Sequence, residues 1–522
     1  MRFLSFPLLL LLLSAVAVFI AGDGAGAAIL GLDLHHRFSP TVRHWFDSRG
    51  FGGASGWPEN GTAEYYAALA AHDRALHGRS LSSSPPDLTF SEGNVTIRIT
   101  SLSFLHYAMV TVGTPGATFL VALDTGSDLF WLPCDCYGCA SSSSLNSMPD
   151  FQVSLYSPNA SVTSHAVPCN SNFCEQQKTG CSGVTSSCPY KVVYVSNDTS
   201  SSGIFVEDVM FFRTEDTQSE IVEARIIFGC GQDQTGAFLE HAAPNGLLGL
   251  GMEKVSVPSI LSSAGFTSNS FSMCFGHDDI GRISFGDKGS LDQDETPFNV
   301  DQLHPKYNIN IIGMLVGNSA IDADFSALVD TGTSFTYFIE PIYSQLSKAF
   351  HEQVQDKQYT TDSKIPFEYC YIMSSGTSNV PTVTLTTSSG SPFPVNYPII
   401  AFPVQANELA YCFAVAKGDK LNIIGQNFLT GLQVVFDRER MILGWKKVSC
   451  YDVKNSGSLP TTPRNSSSSH PGAAGPNINR PEARKETGSN NQVTVATSPA
   501  NYSTNLMNNL ILLLFLLHLI NI

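Results

Sequence analysis

Two four-residue motifs in this sequence carry side chains that could perform acid–base chemistry. Each motif begins with an aspartate, continues with Thr-Gly and ends with a second hydroxyl residue, and the two copies stand 206 positions apart. Their members are Asp124, Thr125, Gly126, Ser127, Asp330, Thr331, Gly332 and Thr333. A single motif of this kind is typical of a simple turn. Two copies in matching surroundings predict a paired site.

The chemistry of such a pair follows from the repulsion between like charges. Two carboxyl groups brought to about 3 Å cannot both ionise, so they share one proton and titrate together. One carboxylate then acts as a base toward a water molecule while the other carboxyl protonates a carbonyl oxygen. Glycine removes the side chain where two loops must approach closely, and a neighbouring hydroxyl can hydrogen-bond the carboxylate and fix its orientation.

The segments around the two motifs repeat in the same order. Residues 119–123 and 325–329 are apolar and lead directly into the aspartates, and each half later carries an apolar-apolar-Gly triplet, at 247–249 and 423–425. The sequence therefore predicts an internal duplication of a β-rich lobe. Short Val, Ile, Phe, Thr and Tyr runs broken by Gly, Pro, Asn and Ser predict many antiparallel strands between residues 101 and 450. Only residues 341–353 in that body have a convincing helical pattern.

The composition narrows the class of protein. Of 522 residues, 43% are hydrophobic and 14% are charged, and the net charge is −16. Residues 101–450 contain 34 Asp and Glu against 17 Lys and Arg, so the acidity belongs to the predicted body. Binding to nucleic acid would require a basic protein surface, so we expect no nucleic-acid partner.

All 12 cysteines lie between Cys134 and Cys450, which predicts a disulfide framework formed in an oxidising compartment. Cys134, Cys136 and Cys139 have the spacing of a metal knuckle. The absence of a nearby histidine favours disulfides instead. We therefore predict no metal site and no cofactor.

The ends of the chain carry targeting features. At the amino terminus, a short apolar run followed by small residues predicts a secretory signal peptide. At the carboxyl terminus, a polar spacer before a 13-residue apolar segment predicts that the segment is replaced by a glycolipid (GPI) anchor. A short tail that dips into the membrane is the alternative for this segment. The predicted organisation is 1–22 signal peptide, 23–100 pro-segment, 101–300 first lobe, 301–450 second lobe, 451–509 Ser/Pro-rich flexible stalk and 510–522 anchor signal.

Two further features concern the predicted pro-segment and the surface. His35 and His36 in the pro-segment either face solvent or take part in a pH-triggered release. Asn-x-Ser/Thr sequons predict surface glycosylation at Asn60, Asn94, Asn159, Asn197, Asn465 and Asn501.

Over residues 104–450 the chain resembles the pepsin-like aspartic proteases, and within them the plant secreted, GPI-anchored and nepenthesin-like members. The first motif continues to a tryptophan as DTGSDLFW at 124–131, and 247–251 and 423–425 match the family's paired inner strands. The resemblance implies an all-β, bilobed fold with an active-site cleft between two pseudo-symmetric lobes. It also implies peptide-bond hydrolysis without a covalent intermediate.

The resemblance assigns roles to individual residues. Asp124 and Asp330 would form the catalytic dyad, and the remaining motif residues would orient the carboxylates or, for Thr125 and Thr331, brace the two loops. A flap tyrosine, placed at Tyr194 by the Cys188-Pro189-Tyr190 element, would close the cleft and hydrogen-bond toward Trp131. A disulfide between Cys370 and Cys412 is also implied.

One departure concerns the tip of the flap. The family's flap tyrosine is usually followed by glycine, whereas Tyr194 is followed by Val-Ser-Asn-Asp, and the β-branched valine stiffens a hairpin tip. We therefore keep two hypotheses. The first is a monomeric aspartic endopeptidase that cleaves polypeptides between bulky apolar residues at the outer face of the plasma membrane. The second is a non-catalytic inhibitor or cell-surface binding protein of the same fold; a purely structural stalk-and-head protein has only the stalk in its favour.

Overall fold

The computed structural model describes residues 28–48, 57–77, 88–89, 96–97, 105–139, 154–174, 181–183, 185–194, 199–215, 219–239, 243, 245–275, 280–300, 305–360, 365–373, 380–405 and 408–448. All of them belong to one compact unit, Met1–Thr462, and a second unit, Pro463–Ile522, lies outside the described residues. The predicted signal peptide, stalk and anchor signal also lie outside them. Among the described helices, none is long and apolar enough to span a membrane.

Strands dominate the described part of the chain. In chain order they are β1 Leu30–His36, β2 Leu88–Thr89, β3 Thr96–Ile97, β4 His106–Val112, β5 Ala117–Asp124, β6 Trp131–Gly138, β7 His165–Ala166, β8 Pro189–Val193, β9 Ser200–Thr214, β10 Ile221–Gln234, β11 Leu247–Gly249, β12 Ser270–Phe275, β13 Ile280–Phe285, β14 Asp294–Pro297, β15 Asn308–Val316, β16 Ser319–Val329, β17 Thr336–Phe338, β18 Gln358–Tyr359, β19 Cys370–Ile372, β20 Val383–Thr387, β21 Pro392–Val395, β22 Ile399–Gln405, β23 Glu408–Phe413, β24 Val415–Lys417, β25 Ile423–Ile424, β26 Leu432–Asp437 and β27 Ile442–Lys447.

The helices are few and short. They are α1 Pro40–Phe46, α2 Ala63–His77, α3 Val257–Ser263, α4 Ile342–His351 and α5 Gln426–Leu429. Helix α4 confirms the helical pattern at 341–353, and its apolar face packs into the second lobe. Helix α2 covers residues whose sequence also has a helical pattern.

The strands form two β-sheet lobes, as the resemblance implied. A 14-stranded sheet has the order β14-β27-β26-β12-β13-β1-β4-β5-β11-β6-β10-β9-β7, with β8 paired to β9. A seven-stranded sheet (β21-β20-β15-β16-β25-β17-β24) and a four-stranded sheet (β18-β19-β23-β22) belong to the second half of the chain. Strands β26 and β27, late in the sequence, join the large sheet through β12, so that sheet contains strands from both halves.

The two strands that lead into the aspartates are buried at their carboxyl ends, where the sequence is apolar. Strand β5 buries five consecutive residues before Asp124. Strand β16 alternates between half-buried and exposed residues and buries its side chains mainly in its last three positions. A strand buried on both faces reads as a continuous apolar run. The apolar runs before the motifs therefore mark where the chain enters the interior.

The amino-terminal region predicted as a pro-segment contributes a strand to the large sheet. Strand β1 lies between β13 and β4, with six residue pairs to β13 and three to β4. This placement overturns one expectation, because His35 and His36 are 8% and 3% exposed instead of facing solvent. Leu30, Leu32 and Leu34 enter the main core, and His36 lies on the same face of the strand, whereas His35 lies on the opposite face.

Disulfides tie the first lobe together. They join Cys134 to Cys230, Cys136 to Cys139, Cys169 to Cys181 and Cys174 to Cys188. The knuckle-like cysteines are thus disulfide-bonded, as predicted. In the second lobe, Cys370 on β19 is bonded to Cys412 on β23, the pairing that the resemblance implied.

Candidate active site

Both aspartates stand at the end of a strand that has a parallel neighbour from later in its own half. Strand β11 pairs with β5 so that Gly249 lies opposite Asp124. Strand β25 pairs with β16 so that Ile424 lies opposite Val329, one residue before Asp330. The two halves therefore present their aspartates in the same way, and the duplicated sequence pattern corresponds to duplicated local structure.

The first loop holds the Asp124 carboxylate with two hydrogen bonds. The backbone N–H of Gly126 donates to Oδ1 at 2.9 Å, and the hydroxyl of Ser127 donates to Oδ2 at 2.5 Å. Each carboxylate oxygen thus has its own donor, which fixes the rotation of the carboxyl group.

The second loop repeats this arrangement around Asp330. The N–H of Gly332 donates to Oδ1 at 2.8 Å, and the hydroxyl of Thr333 donates to Oδ2 at 2.6 Å. The orientation expected of Ser127 and Thr333 is thus present in both loops. Thr125 and Thr331 are 6% and 3% exposed, and their bracing of the two loops stays a prediction.

Glycine is required where the inner strands cross the loops. A Cβ atom on Gly249 would lie 2.3 Å from the carbonyl carbon of Asp128, and one on Gly425 would lie 2.1 Å from the carbonyl oxygen of Phe335. These contacts are with backbone atoms, which cannot move aside as a flexible side chain does. The glycine of each apolar-apolar-Gly triplet is therefore explained by close backbone approach.

The electrostatics show that the two carboxyl groups interact. Burial raises the pKa of Asp124 to about 6; the Ser127 hydroxyl lowers it, and the charge of Asp330 raises it. Desolvation and a like charge both disfavour the ionised form. Asp124 therefore keeps its proton to a higher pH than an exposed aspartate does.

Tyr194 lies where a flap residue was predicted, directly after β8 in the β8–β9 hairpin. Its backbone N–H donates to the carbonyl of Thr199 at 2.9 Å, and its hydroxyl accepts a hydrogen bond from the indole Nε1 of Trp131 at 2.9 Å. Burial and then the charge of Asp124 raise the pKa of Tyr194, which also hydrogen-bonds Ser127. A polar chain thus runs from the hairpin to the first carboxylate. The tip of the hairpin, including Asn197, lies outside the described residues.

Two contacts at this site have no signal in the sequence pattern. Phe238 packs edge-on against Trp131 and Tyr194, with ring centroids 4.8 and 5.0 Å away. It follows no motif, so only its tertiary contacts reveal it. The second is made by helix α2: its helical pattern is visible in the sequence, but the contacts of His72 and Asp73 with the loop that follows Asp330 are not.

The predicted glycosylation sites are partly visible. Asn60 and Asn159 are exposed. Asn94, Asn465 and Asn501, like Asn197, lie outside the described residues. The sulfur atoms of Cys169, Cys174 and Cys181 lie within 4.8 Å of one another, but all three belong to disulfides and do not form a metal site.

Comparison with family models matches most of the body. Residues 106–287 match the family described as "Xylanase inhibitor N-terminal", and residues 306–447 match "Xylanase inhibitor C-terminal". Helix α2 and strand β1 lie before both matched regions.

Curated relatives are plant aspartic proteases. The chain is 48% identical over 470 residues to "Aspartyl protease family protein 1" of Arabidopsis thaliana, covering 89% of this chain and 90% of the relative. It is 36% identical over 452 residues to "Aspartic proteinase-like protein 1" of the same plant, covering 84% of each. Its identity to "Aspartic proteinase nepenthesin-2" of Nepenthes gracilis is 24% over 364 residues, covering 65% of this chain and 77% of the relative.

Two solved structures with the same fold are seed globulins. Conglutin gamma, a basic 7S globulin from lupine seeds, superposes with a TM-score of 0.53 at 20% identity, covering 67% of this chain and 93% of its own. Basic 7S globulin from soybean gives a TM-score of 0.52 at 21% identity, covering 67% and 94%. At these identities the likeness concerns the fold alone.

Proposed function

This chain belongs to the pepsin-like aspartic protease family of plants, and from that premise we propose that it is an aspartic endopeptidase. The observation that carries the proposal is the presence of two equivalent aspartate loops, each with both carboxylate oxygens hydrogen-bonded, whose charges interact. Asp124 and Asp330 are the catalytic residues of this proposal. Its substrates are polypeptides.

The proposed reaction uses the raised proton affinity of Asp124. Asp124, with its raised pKa, holds the shared proton and donates it to the carbonyl oxygen of the scissile peptide. Asp330 takes a proton from the attacking water, so the carbonyl carbon becomes tetrahedral without a bond to the enzyme. Ser127 and Thr333 keep the carboxylates in position during this transfer. Tyr194 and Trp131 form an aromatic wall beside the first carboxylate, which suits apolar side chains next to the scissile bond.

The direct test is hydrolysis of unfolded protein and of a peptide library between pH 3 and 8. We expect cleavage between bulky apolar residues, inhibition by a statine-type transition-state mimic, and loss of activity as the pH rises past about 6, where Asp124 loses its proton. Asp124→Asn and Asp330→Asn should each reduce kcat/KM by a factor of at least about 100, the contribution of a positioned acid or base. Full activity in Asp124→Asn would contradict the mechanism.

A second function is favoured by the descriptions of the matching families, which name xylanase inhibitors. In that case the chain would bind a glycoside hydrolase or another wall component without cleaving peptides. Tight inhibition of a xylanase together with no proteolysis at any pH would support this alternative. Retention of both complete aspartate motifs supports the protease instead.

We further propose that the protein is a monomeric glycoprotein that is secreted and held at the outer face of the plasma membrane by a GPI anchor. The apolar segments at residues 1–22 and 510–522, the six sequons and the disulfides support this location. A phosphatidylinositol-specific phospholipase should move the full chain from the membrane fraction to the soluble fraction. A chain ending at residue 509 should be secreted without treatment. Retention on membranes after the phospholipase would contradict the anchor.

A further inference from the structure

Two disulfides of the first lobe lie side by side, with sulfur atoms of one against a sulfur atom of the other. One joins Cys169 to Cys181, and the other joins Cys174 to Cys188. The Sγ atoms of Cys174 and Cys181, which belong to different disulfides, are 3.7 Å apart. The Sγ atoms of Cys169, Cys174 and Cys181 all lie within 4.8 Å of one another. A thiolate formed at Cys181 would therefore already lie against a sulfur atom of the neighbouring disulfide.

The two disulfides differ in their accessibility to solvent. Cys174 and Cys188 are both 0% exposed. Cys181 is partly exposed, and the next two residues, 182–183, are exposed. Cleavage of a disulfide by a thiol depends on the access of the attacking thiolate to a sulfur atom. A soluble thiol can therefore reach the first disulfide at Cys181, whereas the second is shielded from direct attack.

The shielded disulfide holds the start of the strand that leads to the flap tyrosine. Cys188 immediately precedes β8, and Tyr194 follows the other end of that strand. The N–H of Cys188 donates to the carbonyl of Val167, and its carbonyl accepts from the N–H of Phe205, both at 2.8 Å. Among the described strands, β8 pairs with β9 alone. The bond from Cys188 to Cys174 thus adds a covalent tie to a few hydrogen bonds at the base of the hairpin.

We propose that these four cysteines form a thiol–disulfide exchange site, through which cleavage of the accessible disulfide is passed on to the base of the β8–β9 hairpin. The substrate class of this site is a soluble dithiol. The proposal goes beyond peptide hydrolysis and does not depend on it, because neither Asp124 nor Asp330 takes part in any step.

The first step consumes the dithiol. One of its thiolates attacks Sγ of Cys181, the bond between Cys169 and Cys181 breaks, and Cys169 leaves as a thiolate that takes up a proton. The second thiolate of the reductant then attacks the reductant's own sulfur in the mixed disulfide and releases Cys181 as a thiolate. The dithiol becomes a disulfide by giving up two electrons, which reduce Cys169 and Cys181.

The second step needs no further oxidant or reductant. The Cys181 thiolate attacks Sγ of Cys174, 3.7 Å away, so a new bond joins Cys174 to Cys181. The bond between Cys174 and Cys188 breaks, and the Cys188 sulfur keeps the electron pair and takes up a proton. One disulfide replaces another, and the thiols are now at Cys169 and Cys188. Strand β8 has then lost its covalent tie.

Disulfide mapping after mild reduction tests this proposal without any need for catalysis. The Asp124→Asn protein is treated with dithiothreitol under folding conditions, and samples taken at intervals are quenched in acid. They are unfolded in urea, labelled with N-ethylmaleimide and digested, and the crosslinked peptides are identified by mass spectrometry. Cleavage after Phe173, after Lys178 and before Val184 places the four cysteines on separate peptides.

The expected product of this reduction has a crosslink that the starting protein lacks. Cys174 should be joined to Cys181, and both Cys169 and Cys188 should carry the label. The disulfide between Cys370 and Cys412, both 0% exposed, should survive in the same samples.

A matched pair of variants removes the need for a reductant. Cys169→Ser leaves Cys181 as a thiol beside the shielded disulfide, so we expect loss of the bond between Cys174 and Cys188 and label on Cys188. Cys139→Ser leaves a thiol at Cys136, in another disulfide of the same lobe, and should keep the bond between Cys174 and Cys188 intact. Hydrogen exchange in residues 189–193 should be faster in Cys169→Ser than in Cys139→Ser, while β26 exchanges equally in both.

Several outcomes would overturn the proposal. One is label on Cys169 and Cys181 alone at every time point, with the bond between Cys174 and Cys188 intact. Another is label on Cys174 and Cys188 while Cys169 remains joined to Cys181, because the dithiol would then reach the shielded bond directly. Equal hydrogen exchange of β8 in the two variants, despite the new crosslink, would refute the coupling to the hairpin. If Cys169→Ser does not fold, the time course of the reduced Asp124→Asn protein decides, with hydrogen exchange of β8 measured on its exchanged product.

Discussion

Removal of the Ser127 hydroxyl should change the pH dependence of hydrolysis by a predictable amount. This hydroxyl donates a 2.5 Å hydrogen bond to Asp124 Oδ2 and thereby favours the ionised carboxylate. A hydrogen bond to a charged group contributes about 1.5–3 kcal/mol, and one pKa unit corresponds to about 1.4 kcal/mol. Ser127→Ala should therefore raise the pKa of Asp124 by about one to two units above its value of about 6.

The assay is kcat/KM for one good peptide measured from pH 3 to 9. Activity is lost at high pH when the carboxyl pair releases its last proton, so the alkaline limb of the profile should move upward by about one to two pH units in Ser127→Ala. Ser127→Thr is the matched control, because the second loop has Thr333 in the same position with the same hydrogen bond. A limb that stays in place, or moves to lower pH, in Ser127→Ala would refute the reasoning.

Two further predictions concern stability. Gly425→Ala would place a methyl group 2.1 Å from the carbonyl oxygen of Phe335. We therefore expect a loss of about 1–3 kcal/mol in the free energy of unfolding, measured by urea titration. Gly183→Ala, which has open space around its Cβ, should leave the free energy of unfolding unchanged. The disulfide between Cys370 and Cys412 spans 42 positions. Replacing both cysteines with serine should reduce the free energy of unfolding by about 4 kcal/mol. Equal urea midpoints for the parent and the double serine variant would show that the crosslink does not restrain the unfolded chain.

The sequence was most informative where the identity of a residue is dictated by its immediate backbone. The aspartate loops were predictable because each needs an acid, a glycine and a hydroxyl within four positions, directly after a buried strand. Gly249 and Gly425 were visible because close approach of two backbones excludes any side chain. The Tyr194–Trp131 hydrogen bond was predictable only through the resemblance.

The remaining contacts were not predictable because they join distant segments without a local pattern. Asp73 and Ser334 are 261 positions apart, and a charged residue on a short helix is ordinarily read as part of a solvated face. Phe238 looks like any core aromatic until its two ring partners are known. His36 was assigned to the surface as one of two options because histidine is ordinarily polar, and only the pairing of β1 with β4 shows why it is buried.

The position of β1 has a practical consequence for anyone who produces this protein. Among the described strands of the large sheet, β1 alone joins its neighbours β13 and β4. Deleting residues 28–48 would leave the N–H and C=O groups along the facing edges of both strands without hydrogen-bond partners. Unpaired strand edges of this kind form β-sheet hydrogen bonds with other chains. Recombinant preparations that begin at residue 105 should therefore aggregate unless another segment fills the gap, and shortening the chain is best done from its carboxyl end.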